Sequence, residues 1–126
     1  MIVDEIDIVS VALFEAKDDA PVRSNRDAPE TFEIALAPEA VADLRSLKAN
    51  VRSAVRDALE THLRYEPMKT SRSRIKRLRG LARPQYRLRV GEIRVFYDVS
   101  AETVEVLAIV SKSEAAIWLA KFGSLE

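Results

Sequence analysis

The sequence predicts an α+β fold: an N-terminal strand and a two-helix hairpin, then an antiparallel β-sheet meander and a short C-terminal helix. Segments with strand and helix periodicity follow one another in that order along the chain. The 126 residues, 48% hydrophobic and 32% charged, are typical of one globular domain with a modest core. We expect the helices to pack on one face of the sheet.

The first periodic segments of the domain lie between residues 31 and 66. Residues 31–37 alternate as a strand. Pro38 and Glu39 suit the first turn of a helix. A second helix has Asn50 as its expected N-cap and ends before Pro67. The apolar stripes of the two helices are Val41, Leu44 and Leu47, then Val51, Val55, Leu59 and Leu63.

The second half of the domain, up to residue 123, is predicted to be mostly sheet. Residues 69–80 form a basic connector whose first half has no apolar periodicity. Ser113 is the expected N-cap of a final helix, 113–123, that stops at Gly123. We set residues 124–126 aside as a tail or a cloning scar. The strands between connector and helix are 86–90, 93–99 and 104–110, and the expected core contains Phe32, Val55, Leu59, Leu88, Val95 and Val106.

Residues 1–30 form an extension before this domain. Residues 6–15 alternate weakly as a strand, whereas residues 16–30 are rich in proline and charge and are typical of a linker. Residues 1–33 carry nine acidic and three basic side chains, whereas residues 34–126 carry eleven acidic and seventeen basic ones. This asymmetry predicts a polyanionic partner, an internal acidic cover, or both. Chance scatter of charge is the alternative.

Composition excludes several kinds of protein. There is no cysteine, which removes disulfides, a thiolate nucleophile and a cysteine-based zinc site. A single histidine, His62, cannot form a histidine metal cluster, and we expect no metal and no cofactor. No apolar run approaches the roughly 18 residues of a membrane span, and the acidic N-terminus lacks the basic region of a signal peptide. We expect a cytoplasmic protein.

The stretch YRLRVGEIRVFYDV, residues 86–99, has the pattern of two strands joined by a Gly-Glu loop. In that register Arg89 faces Arg94, and Arg87 lies on the same side. Like charges directly opposite one another destabilise a sheet. Because guanidinium groups bind phosphate through two parallel hydrogen bonds, we expect this side to hold a phosphodiester backbone. The alternative is a solvated face whose repulsion is screened over about 10 Å.

Cations are abundant around the hairpin, but groups for proton transfer are scarce. Ten basic residues lie between residues 69 and 94, opposed only by Glu92, which we expect to be solvated. We interpret His62 as a packing residue, and we expect Asp98 to orient a guanidinium. Trp118 can stack on a base, although its helical spacing is more typical of a core residue. The predicted RNA-binding residues are Lys76, Arg77, Arg79, Arg83 and Trp118.

Between about Phe32 and Phe122 the chain resembles the RelE/ParE superfamily of toxins from bacterial type II toxin–antitoxin systems. The motifs that carry the resemblance are RLRGLARPQYRLRVGEIRVFYDV and VEVLAIVSKSEAAIWL, together with the two-helix hairpin before them. RelE-type members cleave mRNA in the ribosomal A site. ParE-type members poison DNA gyrase and are not nucleases.

The resemblance implies catalytic roles for four residues. The two basic residues of the first hairpin strand in RelE nucleases correspond to Arg87 and Arg89. The arginine that acts on the transition state corresponds to Arg94, and the lysine that ends the last strand corresponds to Lys112. With these assignments, Arg89→Ala and Arg94→Ala are each expected to abolish activity and to leave the fold intact.

The residues that transfer protons in RelE nucleases have no counterpart here. A family position that is often a catalytic arginine is Ser113, and the tyrosine or histidine that activates the 2′-OH falls near Leu119. The cationic half of the site is therefore present, and the proton-transfer half is absent or replaced. RelE-type cleavage is then expected to be slow.

Two functional hypotheses follow from these residues. In the first, the chain is the toxin of a type II system and inhibits translation by ribosome-dependent mRNA cleavage. In the second, it is a non-nuclease toxin that inhibits DNA gyrase, or a catalytically degenerate RNA- or ribosome-binding protein. The arginines favour the first hypothesis and the missing acid–base residue favours the second. The expected partners are a cognate antitoxin and mRNA on the ribosome, or gyrase, without membrane association.

Residues 1–30 have no counterpart in a typical toxin of this superfamily. We interpret them first as an extra edge strand, and alternatively as an antitoxin-like acidic segment or the result of a start codon assigned too early.

Deleting residues 1–30 distinguishes the first two interpretations. If the segment is an acidic cover, its deletion raises affinity for RNA at low salt, and the two proteins converge as salt screens charge over about 8 to 10 Å. If the segment is an edge strand, deletion lowers the melting temperature or causes aggregation. The test measures the melting temperature and the RNA affinity of the full-length and truncated proteins across a salt series. Equal RNA affinity of the two proteins at every salt concentration contradicts the acidic-cover interpretation.

Overall fold

The structure, a computed structural model, describes residues 31–125. Its helices are α1 (Pro38–Ser46), α2 (Ala49–Ala58), which continues into a π-helical turn (Leu59–Leu63), and α3 (Lys112–Phe122). Its strands are β1 (Glu33–Leu36), β2 (Ile75–Arg77), β3 (Leu81–Arg83), β4 (Tyr86–Val90), β5 (Ile93–Val99), β6 (Thr103–Ser111) and β7 (Ser124–Leu125).

Five strands form the main sheet in the order β1-β6-β5-β4-β2, and β3 pairs with β7 in a separate two-stranded sheet. The pairs β2–β4, β4–β5 and β5–β6 are antiparallel, as the meander predicts. Only β1 runs parallel, beside β6, so the sheet is mixed rather than wholly antiparallel. The predicted α+β fold is confirmed.

The β4–β5 hairpin has the predicted register. Leu88 faces Val95 and Arg89 faces Arg94. Gly91, the first residue of the two-residue loop, has φ of +58°, and no non-glycine residue between 31 and 125 has a positive φ. A positive φ at the first loop position alone is the pattern of a type II′ turn, whose twist matches that of the flanking strands.

Helices α1 and α2 cover one face of the sheet, and the hydrophobic core lies between these helices and the sheet. All six residues predicted for the core are buried there. The buried Tyr97 hydroxyl donates to the carbonyl of Pro67 at 2.6 Å and so attaches the segment after α2 to the sheet. Strand β1 pairs with β6 only as far as Val106. Beyond that point α1 lies beside β6, where the Asp43 carboxylate accepts a hydrogen bond from the Ile109 backbone N–H at 2.9 Å.

Helix α3 packs on the opposite face, so the prediction of helices on one face alone is wrong. Phe96 is buried on that opposite face, and the Trp118 ring of α3 stacks on it with centroids 5.1 Å apart and planes 9° apart. A strand whose second face also carries a large aromatic residue needs a cover on both sides. The helix begins at Lys112, one residue earlier than predicted, and its N-cap is Ser111 rather than Ser113.

Three local predictions also differ from the structure. The basic connector contains strand β2, and strand β3 follows it directly; both are short and mostly exposed, so no apolar periodicity marks them. Helix α2 has Lys48 rather than Asn50 at its N-cap, and no side chain caps it. Ser124 and Leu125, set aside as a tail, pair with β3.

A fully buried arginine, Arg64, joins the end of the helical hairpin to the start of β1. Its guanidinium binds both oxygens of the Glu60 carboxylate, at 3.1 and 3.3 Å, and donates to the Phe32 carbonyl at 3.1 Å. The Phe32 backbone N–H in turn donates to the Arg64 carbonyl at 2.7 Å. Buried charge requires such pairing, because an unpaired buried ion costs several kcal/mol.

The extension lies outside the described residues, and so do its predicted strand and linker. Among residues 31–125 no helix has both the length and the apolar composition of a membrane span.

Leu88→Ala should lower the free energy of unfolding by about 2 to 5 kcal/mol, because Leu88 is fully buried between the sheet and α2. Leu125→Ala is the matched control, since Leu125 is 81% exposed and its truncation should stay within about 0.5 kcal/mol. Chemical denaturation measures both, and an unchanged midpoint for Leu88→Ala contradicts the hairpin register.

Candidate nucleic-acid interface

The arginines of the hairpin lie on the sheet face that α3 covers only in part. Lys76 on β2 faces Arg87 on β4, and Arg89 on β4 faces Arg94 on β5. Because side chains alternate along a strand, all four point to the face opposite the helical hairpin. We call these four residues, together with Lys112, the basic face.

Lys112 joins the basic face at the hairpin loop. Its backbone N–H donates to the Glu92 carbonyl at 2.7 Å, so α3 starts against the loop between β4 and β5. The neighbouring Ser111 faces Ile93 at the end of β6. The exposed Lys112 side chain therefore lies at the end of the hairpin that carries Arg89 and Arg94.

Arg87 is half-buried and incompletely satisfied. Its Nη2 atom donates to the Ser73 carbonyl at 3.4 Å, but its buried Nε has no acceptor among the described residues. Burial lowers the pKa of Arg87 from its usual value, and the nearby charges of Arg94 and Arg89 lower it further. No ion pair joins the basic face to a carboxylate within residues 31–125. A bound anion would supply both the missing acceptor and the missing charge.

Arg94 has a structural role besides its place on the basic face. It is only 8% exposed, and its Nη1 atom donates to the carbonyls of Gly91 at 2.8 Å and Ile93 at 3.0 Å. Those two bonds hold the guanidinium against the hairpin loop. Arg89 is exposed, and its side chain makes no such bond within residues 31–125. The two facing arginines therefore differ in their freedom to contact a ligand.

Other predicted RNA-binding residues lie elsewhere. Arg77 is on the face of the helical hairpin, where its guanidinium lies 5.3 Å from the Tyr86 ring centroid and donates to the Gln85 carbonyl. Arg83 pairs with Asp98 at 2.8 Å and with Glu105 at 3.2 Å. Asp98 thus orients a guanidinium, as predicted. Arg79 is exposed in the loop between β2 and β3.

Trp118 serves as a packing residue of α3. Besides its stack on Phe96, it lies 5.4 Å from the Phe122 ring and lines an open cleft of about 620 Å³. The same cleft exposes the carboxylates of Glu39, Asp43 and Glu105. Burial raises the pKa of Asp43, opposed by its bond to the Ile109 N–H. Such a lining repels phosphate, so the cleft is unsuited to nucleic acid.

No proton-transfer residue accompanies the basic face in the described chain. Ser113 has its hydroxyl 3.1 Å from that of Ser111, Leu119 is half-buried, and Glu92 is exposed in the loop as expected. His62 lies at the end of α2, on the margin of a different cavity. Burial lowers its pKa, and the charge of Arg74 lowers it further.

Solved structures with a similar fold are toxin–antitoxin complexes. The chain matches the complex RelBE2 from Mycobacterium tuberculosis with 23% identity and a TM-score of 0.52, over 70% of this chain and 97% of that one. It matches the archaeal RelE–RelB complex from Pyrococcus horikoshii with 26% identity and a TM-score of 0.51, over 65% and 96% of the two chains. No curated protein sequence matches the chain.

The fold is thus that of RelE/ParE superfamily toxins. The family model for the ParE toxin of the type II toxin–antitoxin system parDE matches residues 34–116, about two thirds of the chain. The chain belongs to this family, and it is a toxin of a type II toxin–antitoxin system.

Arg89→Ala should leave the free energy of unfolding unchanged within about 0.5 kcal/mol or raise it slightly, because it removes an exposed charge that faces another arginine. Arg94→Ala should lower it by about 1.5 to 3 kcal/mol, because the variant cannot form the two hydrogen bonds from a charged group to the loop carbonyls. This revises the expectation that both variants keep full stability. Equal denaturation midpoints for the two variants contradict a structural role for Arg94.

Proposed function

We propose that this toxin inhibits translation. Its basic face binds the phosphodiester backbone of ribosome-bound mRNA, and the toxin cleaves that mRNA slowly. The proposal rests on three neighbouring arginines that have no carboxylate partner in the described chain. One of their buried donors, Arg87 Nε, also has no acceptor there. A phosphodiester supplies acceptor oxygens and negative charge together. Because Arg89 is exposed, it makes the first contact with the strand.

In the proposed cleavage the RNA supplies the nucleophile, its 2′-OH, and the basic face supplies the positive charge. When the 2′-oxygen attacks the adjacent phosphorus, the O2′–P bond forms and the P–O5′ bond breaks, which leaves a 2′,3′-cyclic phosphate; water takes the 2′-OH proton and protonates the departing 5′-oxygen. Negative charge builds on the phosphoryl oxygens in this step, and Arg87, Arg89 and Lys112 stabilise it. Arg94, held by the loop carbonyls, adds positive potential. None of the described residues on this face supplies a base, so the rate comes from charge stabilisation and from the geometry in which the ribosome holds the strand.

A second candidate function is inhibition of DNA gyrase by binding alone. Two observations favour it: the family model that matches is that of a ParE toxin, and the described part of the basic face lacks a proton acceptor. In this case the same arginines contact a protein or DNA surface and no bond is broken. A catalytically degenerate RNA- or ribosome-binding protein is the remaining form of this alternative.

We also propose that a cognate antitoxin neutralises the toxin by covering the basic face with acidic side chains. Both similar structures contain a toxin with its antitoxin, which supports such a partner. Carboxylates would satisfy the same guanidinium donors that phosphate uses, so the antitoxin and the nucleic acid compete.

Inducing the toxin in bacterial cells tests the proposal when protein synthesis and DNA synthesis are measured separately. We expect amino-acid incorporation to fall first, with Arg89→Ala abolishing the effect and Arg45→Ala, an exposed arginine on α1, retaining it. An earlier fall in thymidine incorporation contradicts translation inhibition and supports the gyrase alternative.

Salt dependence provides an independent measurement on purified protein. Arg89→Ala should reduce the slope of log K against log salt for single-stranded RNA by about 0.7, the amount that one neutralised phosphate contributes to that slope. Arg45→Ala should leave the slope unchanged. Equal slopes for the native protein and Arg89→Ala contradict phosphate binding at Arg89.

A further inference from the structure

A second cavity with cationic and hydroxyl-bearing walls lies at the end of α2, separate from the basic face. Its volume is about 210 Å³. The lining residues are Thr61, His62, Glu66, Lys69, Thr70, Ser71, Arg74 and Ile75. The toxin chemistry described above uses none of them.

The walls of this cavity are fixed to the rest of the fold. On one side is the π-helical turn that contains His62. On the other, the Ser71 N–H donates to the Ile75 carbonyl at 2.9 Å, at the start of β2. The segment between them is held by the hydrogen bond from the Tyr97 hydroxyl to the Pro67 carbonyl. The cavity is therefore a built feature rather than a gap in a loose loop.

Ser71 presents a hydroxyl proton that has no acceptor in the described chain. Its Oγ accepts hydrogen bonds from the backbone N–H groups of Arg74 at 3.0 Å and Ile75 at 3.3 Å. A serine hydroxyl has two acceptor sites and one donor, so both acceptor sites are occupied and the O–H remains to donate. A ligand with acceptor oxygens matches it.

Positive charge also predominates around the cavity. Lys69 and Arg74 are its cations, and Glu66 is its only carboxylate among the described residues. The Lys69–Glu66 pair is long, 3.8 Å, and exposed on both sides, so it holds Lys69 weakly. His62 is close enough to Arg74 for that charge to lower its pKa. Protonation of His62 would add a third cation when an anion binds.

From this geometry we propose that the cavity binds a phosphate group, with Arg74, Lys69 and the Ser71 hydroxyl as its donors. In the complex with RNA this phosphate belongs to the strand that runs on from the basic face, a step that rests on the proposed function. The Arg89 N–H donates to the Arg74 carbonyl at 2.8 Å, so the backbone of Arg74 lies beside that of Arg89 at the β2 edge of the sheet, between the cavity and the basic face. Neighbouring strands lie about 4.8 Å apart, close enough for one backbone to contact both.

The single histidine of the chain reports directly on this site. The experiment follows the His62 imidazole by NMR in a pH titration of the full-length protein, in potassium phosphate and in potassium chloride of equal ionic strength. Bound phosphate should raise the His62 pKa by about one unit at saturation, since a nearby anion favours the protonated imidazole. A short single-stranded oligouridylate is the second probe.

Two arginines of the same loop provide matched variants. Arg74→Ala should remove the shift caused by either probe, whereas Arg72→Ala should retain it, because exposed Arg72 does not line the cavity. In Arg89→Ala the shift with inorganic phosphate should persist even where RNA no longer binds. This separates failure of the phosphate site from failure of the proposed function.

Two results would overturn the phosphate site as proposed, and a third would overturn its link to RNA. Equal His62 pKa values in phosphate and chloride exclude the phosphate site. A shift that survives Arg74→Ala excludes the proposed donor set. A shift with inorganic phosphate but none with oligouridylate that demonstrably binds excludes the RNA backbone as the source and leaves a site for a small phosphate.

Discussion

The register of the β4–β5 hairpin is the constraint on which the rest of the structure depends. Side chains of a strand alternate with a period of two, so placing Leu88 and Val95 in the core obliges Arg89 and Arg94 to face each other on the opposite side. Burial of the apolar residues, worth about 25 cal/mol per Å², outweighs repulsion between partly solvated guanidinium groups. The guanidinium groups of the basic face are thus held in place by the hydrophobic core beneath them.

The second face of the sheet is divided between packing and charge. Helix α3 covers Phe96 with the Trp118 ring and contacts the strands β5 and β6, whereas the cations stand mainly on β4 and β2. Arg94 lies at the boundary between the packed part and the charged part of this face. It belongs to the basic face, and its guanidinium is also bound to the loop carbonyls of Gly91 and Ile93. The same sheet face therefore carries both a packing surface and the basic face, without a separate domain for either.

The sequence predicted the elements that periodicity marks strongly, which are both helices of the hairpin, the three central strands and the positions of Arg87 and Arg89. It did not predict β2 or β3, because three exposed residues become a strand only by pairing with a distant partner. Nor does the pattern reveal that Arg64 and Arg94 are buried, since arginine is usually exposed and nothing in the sequence marks the carbonyls of Phe32, Gly91 and Ile93 as their acceptors. The same limit applies to Trp118, whose stacking partner lies on a strand distant in the sequence.

The closed pair of hydrogen bonds between Phe32 and Arg64 has a mechanical consequence. Among the described residues, Phe32 comes directly before β1, and its N–H and C=O are both bound by one buried residue of the helical hairpin. A pulling force applied to the chain at residue 31 would load this junction before the edge strand β1. The first resistance to such a force therefore comes from an ion-paired arginine outside the basic face, and it can change independently of that face.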